Sequence, residues 1–221
     1  MSNRLPGLFR HDVVVGPERL AFFGDAVFAI AITLLALDIS VPEDLPHSEV
    51  AHAVREAVPA IGAYLLSFAV IGALWLAQHS LFRLLAAVDR WLLYCYFALL
   101  AVVAALPFPT KLISEYGDTT AATVFYAASI TLAVSLYGAM YVRLMTKPAL
   151  TVPHAERPQL TEGFRRSVVM ALVFATSVPV AFFSPTLAKY WWLLALPANQ
   201  LLRVLPGSAQ GRTQEETVEP A

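Results

Sequence analysis

Residues 19–37 read RLAFFGDAVFAIAITLLAL, an apolar stretch that opens on an arginine and carries one aspartate, Asp25. A helix needs about 20 mostly apolar residues to cross a bilayer, and this stretch reaches that length when it is continued to residue 41. An ionisable group within the hydrocarbon is costly and is usually retained for a function. The stretch therefore predicts a first membrane span over 19–41, with Asp25 as a functional residue inside it.

The rest of the chain is similarly apolar. Of its 221 residues, 58% are hydrophobic and only 14% are charged, whereas soluble domains carry roughly 25% charged residues. Long runs with few or no charges predict five further spans, at 57–82, 91–113, 119–142, 164–184 and 186–204. We therefore predict an all-α integral membrane protein. Its six-helix domain occupies 19–204, between an N-terminal segment at 1–18 and a polar, disordered tail at 205–221.

The composition excludes several classes of protein. Cys95 is the only cysteine, so the chain is not a disulfide scaffold. With 15 basic and 16 acidic residues, it lacks the positive excess that a nucleic-acid-binding protein needs, and no nucleic-acid partner is expected. Metalloprotease, CxxC, serine-hydrolase and phosphate-loop motifs are missing from the sequence, so we expect no enzyme, no metal site and no cofactor.

Basic residues lie mostly on one side of the predicted spans. With six spans, twelve of the 15 lysines and arginines fall on the side of the two termini, and three fall opposite, at Arg55, Lys111 and Lys189. Because basic loops stay in the cytoplasm, both termini are predicted to be cytoplasmic. The loop at 42–58, on the opposite side of the predicted spans, is acidic. Its charges either raise the local concentration of cations or are simply those of a solvated loop.

A stripe of apolar residues follows the first span. Ile30, Leu34 and Leu37 lie within about 60° of one another around a helix, and Asp25 lies about 140° from Ile30. If the stripe faces a pore, the aspartate faces neighbouring helices instead. A stripe facing lipid or a protein core has the same spacing, so periodicity alone leaves these alternatives open.

The second span carries Trp75 and His79, which share a helix face because they are four residues apart. We predict that His79 pairs with Asp25, because both are expected in the cytoplasmic third of the membrane. Such a pair can fix the packing of two helices without taking part in chemistry. Since histidine titrates near neutrality, it can also relay protons. A proton-coupled transporter that uses Asp25 and His79 is therefore an alternative to a passive channel, and a membrane scaffold without transport is a third possibility.

Three segments carry a resemblance to a known family. Residues 19–37 resemble the first helix of the transmembrane-175 potassium channels, matching its arginine, phenylalanine and aspartate at Arg19, Phe23 and Asp25, with Gly24 in place of the usual serine. Residues 75–82 (WLAQHSLF) are similar to the W-x-x-x-H signature of that family's second helix. Residues 106–110 (LPFPT) are similar to the LPF-x-T element of its third helix.

The resemblance implies a potassium-selective cation channel that lacks a P-loop filter and conducts passively. Prokaryotic members have six helices per chain and form tetramers, in which the first helix of each subunit lines a central pore. Carried over to this sequence, Ile30 would form the narrowest ring, Leu34 and Leu37 would lie further out, and Thr33 would offer a hydroxyl beside them.

The same resemblance implies a packing network that orients the first helix, formed by Arg19, Phe23, Asp25, Trp75 and His79. The expected partners are potassium as the permeant ion, the lipid bilayer and three further copies of the chain. The expected location is the plasma membrane.

Overall fold

The structure, a computed structural model, describes residues 16–42 and 45–194, and these residues are almost entirely helical. The α-helices in this part of the chain are α1 Pro17–Leu35, α2 Val50–Glu56, α3 Val58–Phe82, α4 Arg90–Ala105, α5 Pro107–Tyr116, α6 Thr120–Thr146, α7 Arg157–Phe183 and α8 Pro185–Trp191. Short 3-10 turns follow α1, α6 and α8, at Ala36–Asp38, Pro148–Leu150 and Trp192–Leu194.

Among the described residues, four segments are long and apolar enough to cross a membrane: Val58–Phe82, Arg90–Tyr116, Thr120–Thr146 and Arg157–Phe183. Helix α1 has 19 residues and is also strongly apolar, but it carries Glu18, Arg19 and Asp25. Helix α8 lies within the sixth predicted span, 186–204, most of which falls outside the described residues, as do the tail and nearly all of the N-terminal segment. The predicted all-α membrane fold is confirmed, and its helix count is roughly consistent with six spans.

The third predicted span, 91–113, is divided into two helices at Leu106. Pro107 and Pro109 have no amide hydrogen to continue the helical ladder, and the Leu106 amide bonds to the Val103 carbonyl in a tighter turn. The Thr110 amide and hydroxyl both donate to the Leu106 carbonyl. Such local replacement of backbone bonds lets proline lie inside a membrane helix.

The fifth predicted span begins earlier than the sequence indicates, at Arg157 instead of residue 164. A reciprocal capping box between Glu156 and Gln159 starts α7 there. Charged residues in the first turns of α7 hid this beginning, because the prediction relied on runs without charge. The short helix α2 was not predicted either, since the sequence indicated only a loop at 42–58.

Buried tyrosines join the helices at the centre of the protomer. The Tyr137 hydroxyl on α6 donates to the Leu74 carbonyl on α3 at 2.7 Å, and the Tyr126 hydroxyl lies 3.1 Å from Ser67 Oγ, also on α3. A hydroxyl in an apolar interior must be hydrogen-bonded, so each of these contacts fixes the position of one helix against another.

Candidate functional site

Helix α1 packs by one face only. Its buried residues recur at intervals of three and four, and they are Leu20, Gly24, Phe28, Ala31 and Leu35. This face contacts α3 and α4. Most of the remaining α1 side chains, among them Phe22 and Ile30, are exposed in the protomer.

The predicted stripe lies outside that packed face. On α1, Ile30 is 59% exposed and Leu34 is 43% exposed. Leu37 is 75% exposed, but it lies beyond the end of α1, in the 3-10 turn Ala36–Asp38, so the predicted stripe is not continuous on one α-helix. At about 100° per residue, Ile30 lies on one side of the packed face and Asp25 lies on the other. The Thr33 hydroxyl is exposed near the stripe and donates its proton to the Ile30 carbonyl at 2.9 Å, so its oxygen remains an acceptor.

Asp25 is bound to α3 through two side chains. Its Oδ1 accepts hydrogen bonds from Trp75 Nε1 at 2.8 Å and from Gln78 Nε2 at 3.0 Å. Gln78 is buried, whereas Asp25 is exposed at the edge of the contact. Two donors on one carboxylate oxygen hold the aspartate, and with it α1, at a defined level along α3.

The predicted hydrogen bond between Asp25 and His79 is not formed within the described protomer. His79 instead stacks on the Trp75 indole, with ring centroids 6.2 Å apart and an interplanar angle of 28°. Because Asp25 lies level with Trp75 and Gln78, the long indole places its N–H at the carboxylate, and the imidazole lies behind it. Within the described residues, Trp75 and not His79 is the hydrogen-bonded neighbour of Asp25.

The other two residues of the predicted network lie apart from Asp25. Phe23 packs edge to face against Phe97 on α4, with centroids 5.9 Å apart. Arg19 is exposed in the first turn of α1 and forms no ion pair with Asp25 among the residues that the structure describes. The structure thus brings together Asp25, Trp75 and His79.

Sequence reasoning missed Gln78 and Tyr96, which extend this contact to α4. The Tyr96 hydroxyl lies 2.9 Å from Gln78 Oε1 and 3.2 Å from the Leu20 carbonyl. Gln78 was detectable as an amide side chain one turn from Trp75 inside a run without charges. Tyr96 had no comparable signal, because an aromatic residue in an apolar span is common.

Gly24, which stands where the family resemblance leads one to expect a serine, lies directly beneath Tyr96. A Cβ atom at this position would overlap the Tyr96 hydroxyl and lie 2.7 Å from Gln78 Oε1. A serine therefore does not fit here while Tyr96 keeps its place, and the hydroxyl above the glycine comes from the tyrosine.

A separate ion pair lies at the end of the protomer that is predicted to be cytoplasmic. Asp89 Oδ1 accepts a hydrogen bond from the Leu92 amide and caps α4. Arg143 Nε and Nη2 both donate to Asp89 Oδ2. Burial raises the pKa of the Asp89 carboxyl, but the bond from Leu92 and the charge of Arg143, with a smaller effect of Lys147, outweigh it. The net pKa lies below the ordinary value of 3.8.

Comparison with known proteins identifies the family. Residues 19–107 match the family described as "Endosomal/lysosomal potassium channel TMEM175". A potassium channel of Streptomyces collinus is 36% identical over 185 residues, which are 80% of this chain and 89% of that protein. A potassium channel of Chamaesiphon minutus is 34% identical over 178 residues, covering 72% of this chain and 83% of that protein.

A solved structure agrees with these sequence relatives. The crystal structure of a lysosomal potassium-selective channel TMEM175 homologue from Chamaesiphon minutus superimposes with a TM-score of 0.71 at 26% identity, covering 84% of this chain and 97% of that one. The resemblance that the first helix indicated is thereby confirmed. The chain belongs to the TMEM175 family of potassium channels, a family of multi-pass membrane proteins and not of enzymes.

Proposed function

We propose that this protein is a potassium-selective channel without a P-loop filter, which conducts passively through a hydrophobic constriction formed by α1 from four subunits. The observation that carries the proposal is the division of α1 into a packed face and an unpartnered apolar stripe. Ile30 and Leu34 on α1 and Leu37 in the 3-10 turn after it are exposed, although α1 packs against α3, α4 and, to a smaller extent, α5.

The number of four subunits is what the family resemblance implies. A single α1 cannot surround a pore, so the stripe must face either lipid or further copies of α1. Four copies around an axis would place Ile30 in the narrowest ring, with Leu34 and Leu37 in rings further out. Asp25 would then point towards α3 and away from the axis, because Trp75 and Gln78 hold it there.

The mechanism rests on dewetting and on the cost of removing water from the ion. Narrow apolar rings exclude water, and they conduct when they widen slightly. Such rings offer few fixed oxygen ligands. Thr33 lies close to the stripe, and its hydroxyl oxygen can coordinate a passing ion. Potassium holds its water less tightly than sodium, so a pore that requires partial dehydration favours potassium.

The proposed location is the plasma membrane, with both termini in the cytoplasm. The excess of basic residues on the side of the termini supports this orientation. The pair of Asp89 and Arg143 would lie at the cytoplasmic surface, and α2, with its exposed Arg55 and Glu56, would lie on the outer side.

The proposal is tested by recording from purified protein in planar bilayers with potassium on one side and sodium on the other. A reversal potential displaced from zero in the direction that favours potassium is expected, and a reversal potential at zero, which means no preference between the two cations, would overturn the proposal. Mass measurement in detergent should give a tetramer, and a strict monomer would contradict the pore geometry. A flux that follows a pH gradient without a potassium current would instead indicate proton-coupled transport.

A further inference from the structure

The Tyr96 hydroxyl of α4 occupies the space above Gly24 of α1. Tyr96 is 2% exposed, and its ring packs against Phe82 with centroids 4.9 Å apart, so the hydroxyl cannot easily move away. The overlap that a Cβ at Gly24 would make with this hydroxyl shows how closely α1 and α4 approach. The tyrosine at position 96 therefore requires a residue without a side chain at position 24.

The hydrogen bonds from Tyr96 have a fixed direction. A carboxylate has no proton to donate, so Asp25 acts as the acceptor. Gln78 therefore turns its Nε2 towards Asp25 and its Oε1 towards Tyr96. The Tyr96 hydroxyl then supplies the proton of that contact, with the Leu20 carbonyl as a second acceptor. The result is a chain of hydrogen bonds in which Tyr96 orients Gln78 and Gln78 orients Asp25.

We propose that Tyr96 is a positioning residue for α1, and that Gly24 and Tyr96 act as a pair which sets the rotation of this helix. This chain of hydrogen bonds contacts α1 at two residues, directly at Leu20 and through Gln78 at Asp25. The two residues are about 7.5 Å apart along the helix axis. A helix held at two levels cannot rotate freely, so the direction of Ile30 is fixed as well. This role rests on the proposed function, because it matters for conduction only if α1 lines the pore.

The glycine and the tyrosine must then depend on each other. Alanine at position 24 would push against the Tyr96 hydroxyl and turn or displace α1. Removing the hydroxyl with Tyr96→Phe leaves the ring carbon Cζ 3.0 Å from the added Cβ, which is still a tight contact. The shorter side chain of Tyr96→Leu removes this contact, and Gln78 Oε1, 2.7 Å from the added Cβ, then has lost its bond to Tyr96 and can turn away. Tyr96→Leu should therefore rescue Gly24→Ala more fully than Tyr96→Phe does.

The test combines thermal unfolding in detergent with the potassium-to-sodium permeability ratio in bilayers. We expect Gly24→Ala to lower the unfolding midpoint and to lower it much less in the Tyr96→Leu background. We expect Tyr96→Phe to lower the permeability ratio, because α1 then loses one of the contacts that fix the direction of Ile30.

Tyr137→Phe is the matched control, because Tyr137 is equally buried and its hydroxyl donates to the Leu74 carbonyl of α3, with no hydrogen bond to α1 within the described residues. It should lose stability and keep the wild-type permeability ratio. Equal changes of that ratio in Tyr96→Phe and Tyr137→Phe would overturn the positioning role. So would an effect of Gly24→Ala on the midpoint that is the same with and without Tyr96→Leu.

The two proposals fail in different ways. If the wild-type protein showed no cation preference, the proposed function would be wrong, whereas the coupling of the thermal midpoints at positions 24 and 96 would still be measurable. If the channel selects potassium and this coupling is missing, the proposed function stands and the pairing of Gly24 with Tyr96 is wrong.

Discussion

The indole nitrogen of Trp75 lies 2.8 Å from Asp25 Oδ1, and this bond joins α3 to the only acidic residue in the interior of α1. The same indole carries the His79 ring on its face. Trp75 thus stands between the two residues that the sequence predicted to touch. Its N–H satisfies the carboxylate, and its ring orients the histidine.

Trp75→Phe should lower the free energy of unfolding by about 1 kcal/mol, because a phenyl ring can still stack on His79 but cannot donate a hydrogen bond to Asp25. Chemical unfolding of the purified protein in micelles measures this. Trp191→Phe serves as the control, since its indole donates a longer bond of 3.2 Å to Thr176, far from α1. A loss in the control that equals or exceeds the loss in Trp75→Phe would contradict a special role for the Asp25 contact.

The sequence predicted the long spans well where charges bound an apolar run. The spans at 57–82 and 119–142 agree with α3 and α6 to within a few residues. The free-energy cost of placing charged side chains in lipid limits where a membrane span can lie, and here the helices end close to those limits. The prediction failed for α7, whose first turns are helical although they carry charge. The capping box and helix packing decide that end, and hydropathy does not detect them.

The partner of Asp25 could not be predicted in the same way. Gln78 and His79 are adjacent in the sequence, and they point about 100° apart around α3. Which of them faces Asp25 depends on the rotation and axial shift of one helix against another. That setting comes from contacts such as Gly24 beneath Tyr96, which join residues 72 positions apart in the chain.

Gly163→Ala should destabilise the protein by about 2 kcal/mol, because the added methyl group would overlap the Tyr141 ring where α6 and α7 approach each other. Gly62→Ala is the matched control, since no atom lies within 4 Å of a Cβ at that position. Thermal unfolding in detergent should show a lower midpoint for the first variant alone. A similar decrease in both would mean that Gly163 is not a close-packing position.

Thr110→Val should cost about 1 kcal/mol of unfolding free energy, because the Thr110 hydroxyl joins α5 to α3 through Ser67 at 2.8 Å. Both residues are buried, and valine keeps the shape of threonine without its hydroxyl. Thr131→Val is the control, because that hydroxyl bonds only to the Ala127 carbonyl of its own helix. The interpretation is wrong if the two variants unfold at the same denaturant concentration.

Asp89→Asn should be less stable than the wild type at neutral pH, and this difference should shrink under acid conditions. The pKa of Asp89 is lower in the folded protein than its ordinary value, so the unfolded chain takes up the proton first as the pH falls. The stabilisation is therefore complete above about pH 4 and is lost as the pH falls through the folded pKa. Unfolding midpoints of both proteins between neutral and strongly acidic pH measure this, and a difference that stays constant would contradict it.

Ile30→Asn should make the proposed constriction easier to wet, because four amide side chains would replace four apolar ones in the narrowest ring. We expect a larger single-channel current, with a potassium-to-sodium permeability ratio that falls towards unity, since an ion then keeps more of its hydration. Leu172→Asn on α7 introduces the same group at a position of similar exposure, 56% against 59%, on a different helix. The control should conduct like the wild type. Unchanged permeation in Ile30→Asn itself would remove Ile30 from the pore, and with it the proposed assignment of the stripe.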